Sequence, residues 1–415
     1  MYQPSWWMVV PFGVLLASIA ILPLHAERWW TRHYAKLSLF LAALTLCCYL
    51  WRPAAEALET VRRTTRDYVG FIVLIGSLYV VSGGIHIRVK GEATPALNTL
   101  FLVIGGVVSN ILGTTGASML LIRPWLRMNS YRTKAHHVVF FIFIVSNVGG
   151  CLTPIGDPPL LIGFLKGVPF WWVLEHCWAM WLISMAFLLA VFYCIDHRNY
   201  RRASGTVREK PAETEHRWRF DGLWNTAFLA VIIAAVFFPG PPILGQAIML
   251  AAAAASYLTT ASDVHAANHF SFRPIVEVAV LFFGIFATMM PMLDLLLNVG
   301  GRLSPGQVYW AGGALSGFLD SAPAYLAFFS AILGRHPASA TASLLPGVGA
   351  NIVALSVGTV LFGALTYIGN GPNLMVKSIA DHQKAPSPAF LGYLFKWALP
   401  IMLPLLIILW LVYFR

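Results

Sequence analysis

The chain has 415 residues, 58% hydrophobic and 11% charged, with a net charge of +11 at neutral pH. No soluble core of this size needs so much apolar surface, and many apolar runs reach the roughly 20 residues that a bilayer-spanning helix requires, so the chain reads as a polytopic all-α membrane protein. The basic residues sit between apolar runs, as in loops facing anionic lipid, which sets nucleic-acid binding aside.

The apolar runs lie near 8–24, 37–51, 69–84, 96–125, 135–165, 170–194, 222–239, 243–260, 274–298, 307–334, 348–378 and 388–413. The first has no basic stretch before it and no small-residue cleavage site after it, so it is read as a retained helix and not a signal peptide. Cys47, Cys48, Cys151, Cys177 and Cys194 lie in or beside these runs without metal-ligand spacing. They are read as buried free thiols. Trp171-Trp172 and many other aromatics read as an interfacial belt.

Two runs are interrupted at the middle. Residues 96–125 carry Ser109-Asn110 and then Gly113 to Gly116 (GTTG), and residues 307–334 carry Asp320-Ser321-Ala322-Pro323. Split there, each arm has about 13 residues, or roughly 20 Å of helix. That falls short of a hydrocarbon core roughly 30 Å thick, so both runs are read as re-entrant hairpins with polar tips.

Loop charge orients them. Arg88 and Lys90 precede the first hairpin, and Arg123, Arg127, Arg132 and Lys134 follow it, which puts its flanks in the cytoplasm. The second is flanked by Arg302 and Arg335 alone, which suits the outside. The linker 195–221 holds Arg198, Arg201, Arg202, Arg208, Arg217 and Arg219, and should be cytoplasmic. Each half then has five spanning segments and one hairpin, and an odd count inserts the second half upside down. The expected fold is therefore two inverted-topology repeats, each with a re-entrant hairpin and a broken helix, and both termini outside. Scaffold helices occupy 1–93 and 222–305, and transport parts 94–194 and 306–415, joined by the linker 195–221. The stretch 52–68 would be external yet carries Arg52, Arg62, Arg63 and Arg66. An interfacial amphipathic helix there reconciles the two.

One motif occurs twice. GCLTPIGDPPL (150–160) aligns without gaps on GALTYIGNGPN (363–373), with Asp157 facing Asn370. Paired interruptions in two halves of a membrane protein point to a transporter's binding site. The tips align as well: GVVSN (106–110) on GFLDS (317–321) places Ser109 against Asp320 and Asn110 against Ser321.

Unwound backbone is tolerated in a membrane only inside protein or around a watery cavity. Free carbonyls, Thr and Asn side chains and a carboxylate make a hard-oxygen site for a small cation such as Na⁺. The candidates for the first site are Asp157, Thr153, Ser109, Asn110 and Thr114; for the second, Asp320, Ser321, Thr366 and Asn370. Asp157 and Asp320 are the best-placed intramembrane acids, as cation and proton binders or as caps on half-helix N-termini. Asn147 and Ser146, before the first break, serve either as ligands or as helix–helix hydrogen bonds. His136-His137 and Glu175-His176 are read as interfacial, and Glu277 and Asp294 as structural or gating residues. No HExxH, P-loop or GxSxG stands out, so an enzyme is not expected, and no ATP-binding domain is visible, so an ion gradient would drive transport.

The strings SNVGGCLTPIGDPPLLIGFLKGVPFWW (146–172), NILGTTGASMLLIRPWL (110–126) and YIGNGPNLMVKSIA (367–380) resemble the ion transporter superfamily. The branch they resemble is the NhaD-like sodium:proton antiporters, grouped with citrate transporters. The resemblance extends over most of the chain. It implies a scaffold domain, a mobile transport domain holding both hairpins and both broken helices, an elevator-like movement, and a homodimer in the bacterial inner membrane. Its second tip has Asp-Asn where this chain has Asp320-Ser321, which alters the geometry expected there. Acidic residues repel a carboxylate substrate, whereas an antiporter needs a carboxylate that holds Na⁺ and H⁺ in turn. Sodium:proton exchange through Asp157, assisted by Asp320, is therefore the first expectation. Cation-coupled uptake of citrate or another carboxylate is the second, and a membrane enzyme or channel a remote third. No cofactor is expected beyond Na⁺ and H⁺ as transported or coupling ions.

Overall fold

Thr94 and Ser304 open the two interrupted runs in the same way. Each is extended, its hydroxyl accepts from the backbone N–H three residues on, and a proline follows at the first helical position. The computed structural model describes residues 5–51, 55–88, 93–202, 219–236, 238, 241–268, 270–296, 303–333 and 341–415. In order these form α1 (Val10–His25), α2 (Glu27–Leu50), α3 (Ala55–Gly83), β1 (His86–Arg88), α4 (Pro95–Met128), α5 (Ala135–Ile144), α6 (Pro158–Leu165) and α7 (Phe170–Arg202). There follow β2 (Arg219–Asp221), α8 (Asn225–Val236), α9 (Pro242–Thr259), α10 (Ser262–Ala267), α11 (Arg273–Leu296), α12 (Pro305–Leu319), α13 (Ser321–Leu333), α14 (Thr341–Phe362) and α15 (Gly371–His382). A last apolar helix, α16 (Phe390–Phe414), contains two π-helical turns. Seven of the described helices are long and apolar enough to cross a bilayer. The protein is an integral, multi-pass, all-α membrane protein.

α4 reaches that length only by count, because it turns back on itself. Gly113 at its middle has φ 75° and ψ 154°, a conformation that glycine alone adopts without strain. Beyond it the arms meet: Asn98 and Asn129 exchange side-chain hydrogen bonds of 2.8 and 3.1 Å, and the Phe101 and Trp125 rings lie 5.4 Å apart. With 34 residues in all, its arms are longer than the sequence suggests. α12 and α13 form the second hairpin about Asp320, which takes φ 82°. Gly312 and Gly313 let α12 approach α14, since a Cβ at Gly313 would sit 2.6 Å from the Phe362 ring of α14.

Around these hairpins, α11 packs on α2 and α3. Ser38 donates to the Val280 carbonyl at 3.0 Å, Tyr68 to that of Ala279 at 3.0 Å, and the Phe71 and Phe282 rings stack at 4.8 Å. β1 and β2 pair antiparallel, His86 opposite Asp221, and tie the two halves together beside the start of α8.

Several expectations change. Residues 55–68 are not a separate interfacial helix but the first turns of the 29-residue α3; Arg52 lies outside the described residues. The linker's first residues, through Arg202, continue α7, while Arg208 and Arg217, like Lys90, Arg302 and Arg335, lie outside the described residues. Cys151 and Cys177 are buried, but Cys47 and Cys194 are exposed and Cys48 half-buried. His136 and His137 are buried, not interfacial. Asp196 of α7 accounts for this: its carboxylate takes a bidentate pair from Arg132, a hydrogen bond of 2.9 Å from Asn98, and His136 Nε2 at 3.0 Å. This network closes the base of the first hairpin against α5 and α7.

Candidate functional site

The first break begins where α5 ends. Ser146 and Asn147 leave the helix, a 3₁₀ turn follows over Val148–Gly150, and the chain stays unwound until Asp157, immediately before α6. Gly150 and Gly156 make the turn possible, because a Cβ on Gly156 would meet the Gly150 carbonyl oxygen at 2.2 Å. Thr153 holds it closed: its hydroxyl accepts from Gly156 N–H at 3.0 Å and donates to the Asn110 carbonyl at 2.5 Å. Asn110 binds the same loop through its side chain, donating to Gly149 O at 2.6 Å and accepting from Leu152 N–H at 2.9 Å. The one hydrogen of the Ser109 hydroxyl is shared between Gly105 O at 2.8 Å and Val145 O at 2.7 Å. Thr114 N–H reaches Gly156 O at 2.7 Å. Ser109, Asn110 and Thr153 thus bind hairpin tip to unwound loop.

The second break repeats this frame. Thr366 accepts from Gly369 N–H at 3.0 Å and donates to Gly317 O at 2.7 Å, while Gly363 O lies against Gly369. Ser316 donates to Thr359 O at 2.6 Å, as Ser109 does to Val145 O. These matched contacts shift the alignment of the tips. Ser109 corresponds to Ser316, Asn110 to Gly317, Gly113 to Asp320 and Thr114 to Ser321. The positive φ of Gly113 and of Asp320 marks the same place in each hairpin. The pairing of Ser109 with Asp320 and Asn110 with Ser321 expected from the strings is not what the backbone adopts.

Four candidates from distant parts of the chain converge. Asp157 Oδ1 accepts from Thr114 Oγ1 at 2.7 Å and from Asn370 Nδ2 at 2.9 Å. Asn370 Nδ2 also lies 3.3 Å from Asn147 Oδ1 and 3.1 Å from Ser146 O. Asp157 precedes a helix, yet its side chain caps no backbone N–H. Its second oxygen, Oδ2, is buried with no hydrogen-bond partner among the described residues. A carboxylate oxygen in that position is a strong acceptor, and burying it unpaired is costly. The capping alternative therefore loses its support here.

Asp320 lies apart from this group but faces it. Its Oδ1 accepts from Ala322 N–H at 3.1 Å, so here capping is real. Asp320, Asn370, Thr115 and Pro158 line one wall of a narrow cleft whose other wall includes Phe71, Ile75 and Tyr79 of α3 and Phe282 of α11. A smaller cleft beside it is bounded by Asp157, Thr114, Gly113 and Leu78. Among the described residues, no Lys, Arg or His lines either cleft. Ser321 Oγ is buried and, like Asp157 Oδ2, has no partner among the described residues. α6 begins Pro158-Pro159 and α15 Gly371-Pro372, so these half-helices start with few free N–H groups for an anion.

The sequence reading missed Asn373. It donates to Gly363 O and Thr366 O, both at 2.9 Å, and accepts from Asn147 Nδ2 at 2.8 Å. An amide in an otherwise apolar turn, one residue past the shared Pro372, was the available signal. Among the described residues, one group could by its chemistry hold a metal, namely His136, His137 and Asp196, but Arg132 already occupies that carboxylate.

The chain matches, over residues 1–414, a family described as "Putative citrate transport". None of the curated proteins compared with it gives a match.

Proposed function

The chain belongs to that citrate-transport family of the ion transporter superfamily, and on that premise we propose that it is a secondary transporter exchanging Na⁺ for H⁺. Asp157 is the group that holds the two in turn. The observation that carries this reading is that, among the described residues, Oδ2 of Asp157 has no hydrogen-bond partner and the clefts beside it have no basic side chain. Sodium would take Oδ2 with neighbouring hydroxyl, amide and backbone oxygens, a hard-oxygen set that suits it. A proton on Oδ2 neutralises the same buried charge. One occupant must leave before the other enters, which is the requirement for exchange. Asp320 and Ser321 form a second cation position beside that of Asp157, on the same wall of the cleft. The two hairpins and two broken helices would move together against α1–α3 and α8–α11, an elevator-like step, within a homodimer.

A second reading is cation-coupled uptake of a carboxylate such as citrate, which the description of the family favours. Sodium at both positions would then screen the acids. Proteoliposomes holding a pH-sensitive dye separate the two. For exchange, an inward Na⁺ gradient drives protons outward with no carboxylate present, and the KM for Na⁺ rises as pH falls because protons compete for Asp157. Sodium-dependent citrate accumulation, with no proton response to Na⁺ alone, would establish the second reading instead.

A further inference from the structure

Asn370 has one acceptor too many. Its amide nitrogen carries two hydrogens and lies within reach of three oxygens: Asp157 Oδ1 at 2.9 Å, Ser146 O at 3.1 Å and Asn147 Oδ1 at 3.3 Å. A carboxylate is the stronger acceptor while charged, since hydrogen bonds to ionised groups are roughly twice as strong as neutral ones. A proton or a cation on Asp157 weakens that claim, and the N–H is then free to favour Asn147.

Asn147 passes this on. Both its amide hydrogens are engaged, one by Ile142 O and one by Asn373 Oδ1, each at 2.8 Å. Asn373 in turn donates to Gly363 O and Thr366 O, at the start and in the middle of the second unwound turn. Thr366 is hydrogen-bonded to Gly317 O, in the hairpin arm that leads to Asp320. All three asparagines are at most 1% exposed, so water does not compete for these bonds. The bridge is also single. In the repeated motif the partner of Asn373 is Leu160, and that of Asn147, at the same offset, is Val360; neither can form such a bond.

We propose that Asn147 and Asn373 are positioning residues that transmit the occupancy of Asp157 to the Asp320–Ser321 position, so that the two cation positions are thermodynamically coupled. This rests on the reading of Asp157 as the cation and proton carrier. Amides that merely glue helices together would stabilise the fold without linking the two positions.

The test is Na⁺-driven proton flux by the full-length protein in liposomes, measured across Na⁺ concentration and pH for wild type, Asn373→Ala and Asn373→Ser. The expected wild type shows a Hill coefficient for Na⁺ above one, with a coupling of about fivefold or more between positions. Asn373→Ala brings the coefficient to one, and Asn373→Ser, which keeps an acceptor for Asn147, restores part of it. A wild type with a coefficient of one overturns the proposal. So do variants that lose rate while keeping the wild-type coefficient and pH dependence. If Asn373→Ala fails to fold, Asn373→Ser carries the measurement. A wild type with no proton response to Na⁺ sinks the parent reading, and the proposal with it.

Discussion

The two unwound turns, 145–157 and 363–370, solve one backbone problem alike and place charge differently. In each, a threonine hydroxyl accepts from a glycine N–H at 3.0 Å and donates to a carbonyl of the facing hairpin. In the first half the acid ends the turn, at Asp157, and the hairpin tip is Gly113. In the second the turn ends at Asn370, and the acid is the tip, Asp320. Each half thus has one carboxylate in its pair of break and hairpin tip, on opposite members of the pair. Oδ2 of Asp157 has no partner among the described residues, whereas Asp320 caps α13. Shape was kept between the halves while the acid moved from helix to hairpin.

The largest expected effect strikes the shared frame. Gly156→Ala drives a Cβ to 2.2 Å from Gly150 O; transport should vanish and the melting temperature fall. Gly371→Ala, with nothing within 4 Å of its Cβ, should leave both near wild type. Next comes the charge. Asp157→Asn should lower Na⁺-driven proton flux by about a hundredfold or more, as loss of a proton-carrying group does, with no loss of thermal stability. If the halves were interchangeable, adding Asn370→Asp would restore flux. No recovery is expected, because Asn370 Nδ2 also lies against Ser146 O and Asn147 Oδ1, which a carboxylate would repel.

Smaller effects refine the comparison at the paired hydroxyls. Thr114→Val removes a hydrogen bond to a carboxylate, worth about 1.5–3 kcal/mol, so the KM for Na⁺ should change by about tenfold or more in proteoliposomes. Ser321→Ala removes a hydroxyl with no hydrogen-bond partner among the described residues. Its melting temperature should hold or rise, and any weakening of Na⁺ binding would then belong to the ion alone. Equal stability losses for the two variants would erase the distinction between the tips.

The sequence revealed what depends on local pattern. Polar interruptions and arm lengths marked both hairpins, and the repeated string marked both breaks. It failed where partners lie far apart in the chain. His136 and His137 follow a lysine at a helix start and read as interfacial until Asp196, from α7, buries them. The tips were misaligned because Gly106 and Gly317 match as letters, whereas the register is set by positive φ at Gly113 and Asp320, a conformation no string displays. Asn373 was missed because its partner is Leu160, and repetition highlights only what both copies share.

The contact of Gly156 on Gly150 has a consequence for how such a site can vary through descent. The curvature of the turn is set by two residues without side chains, and on the proposed function the ion would be met by others. On the proposed function, Asp157 at the end of this turn, Thr114 on the hairpin and Asn370 on the second turn would therefore vary one at a time, altering which ion is preferred, without reopening the loop that presents Asp157. A lineage that loses either glycine loses the presentation itself, and no choice of ligand elsewhere restores it.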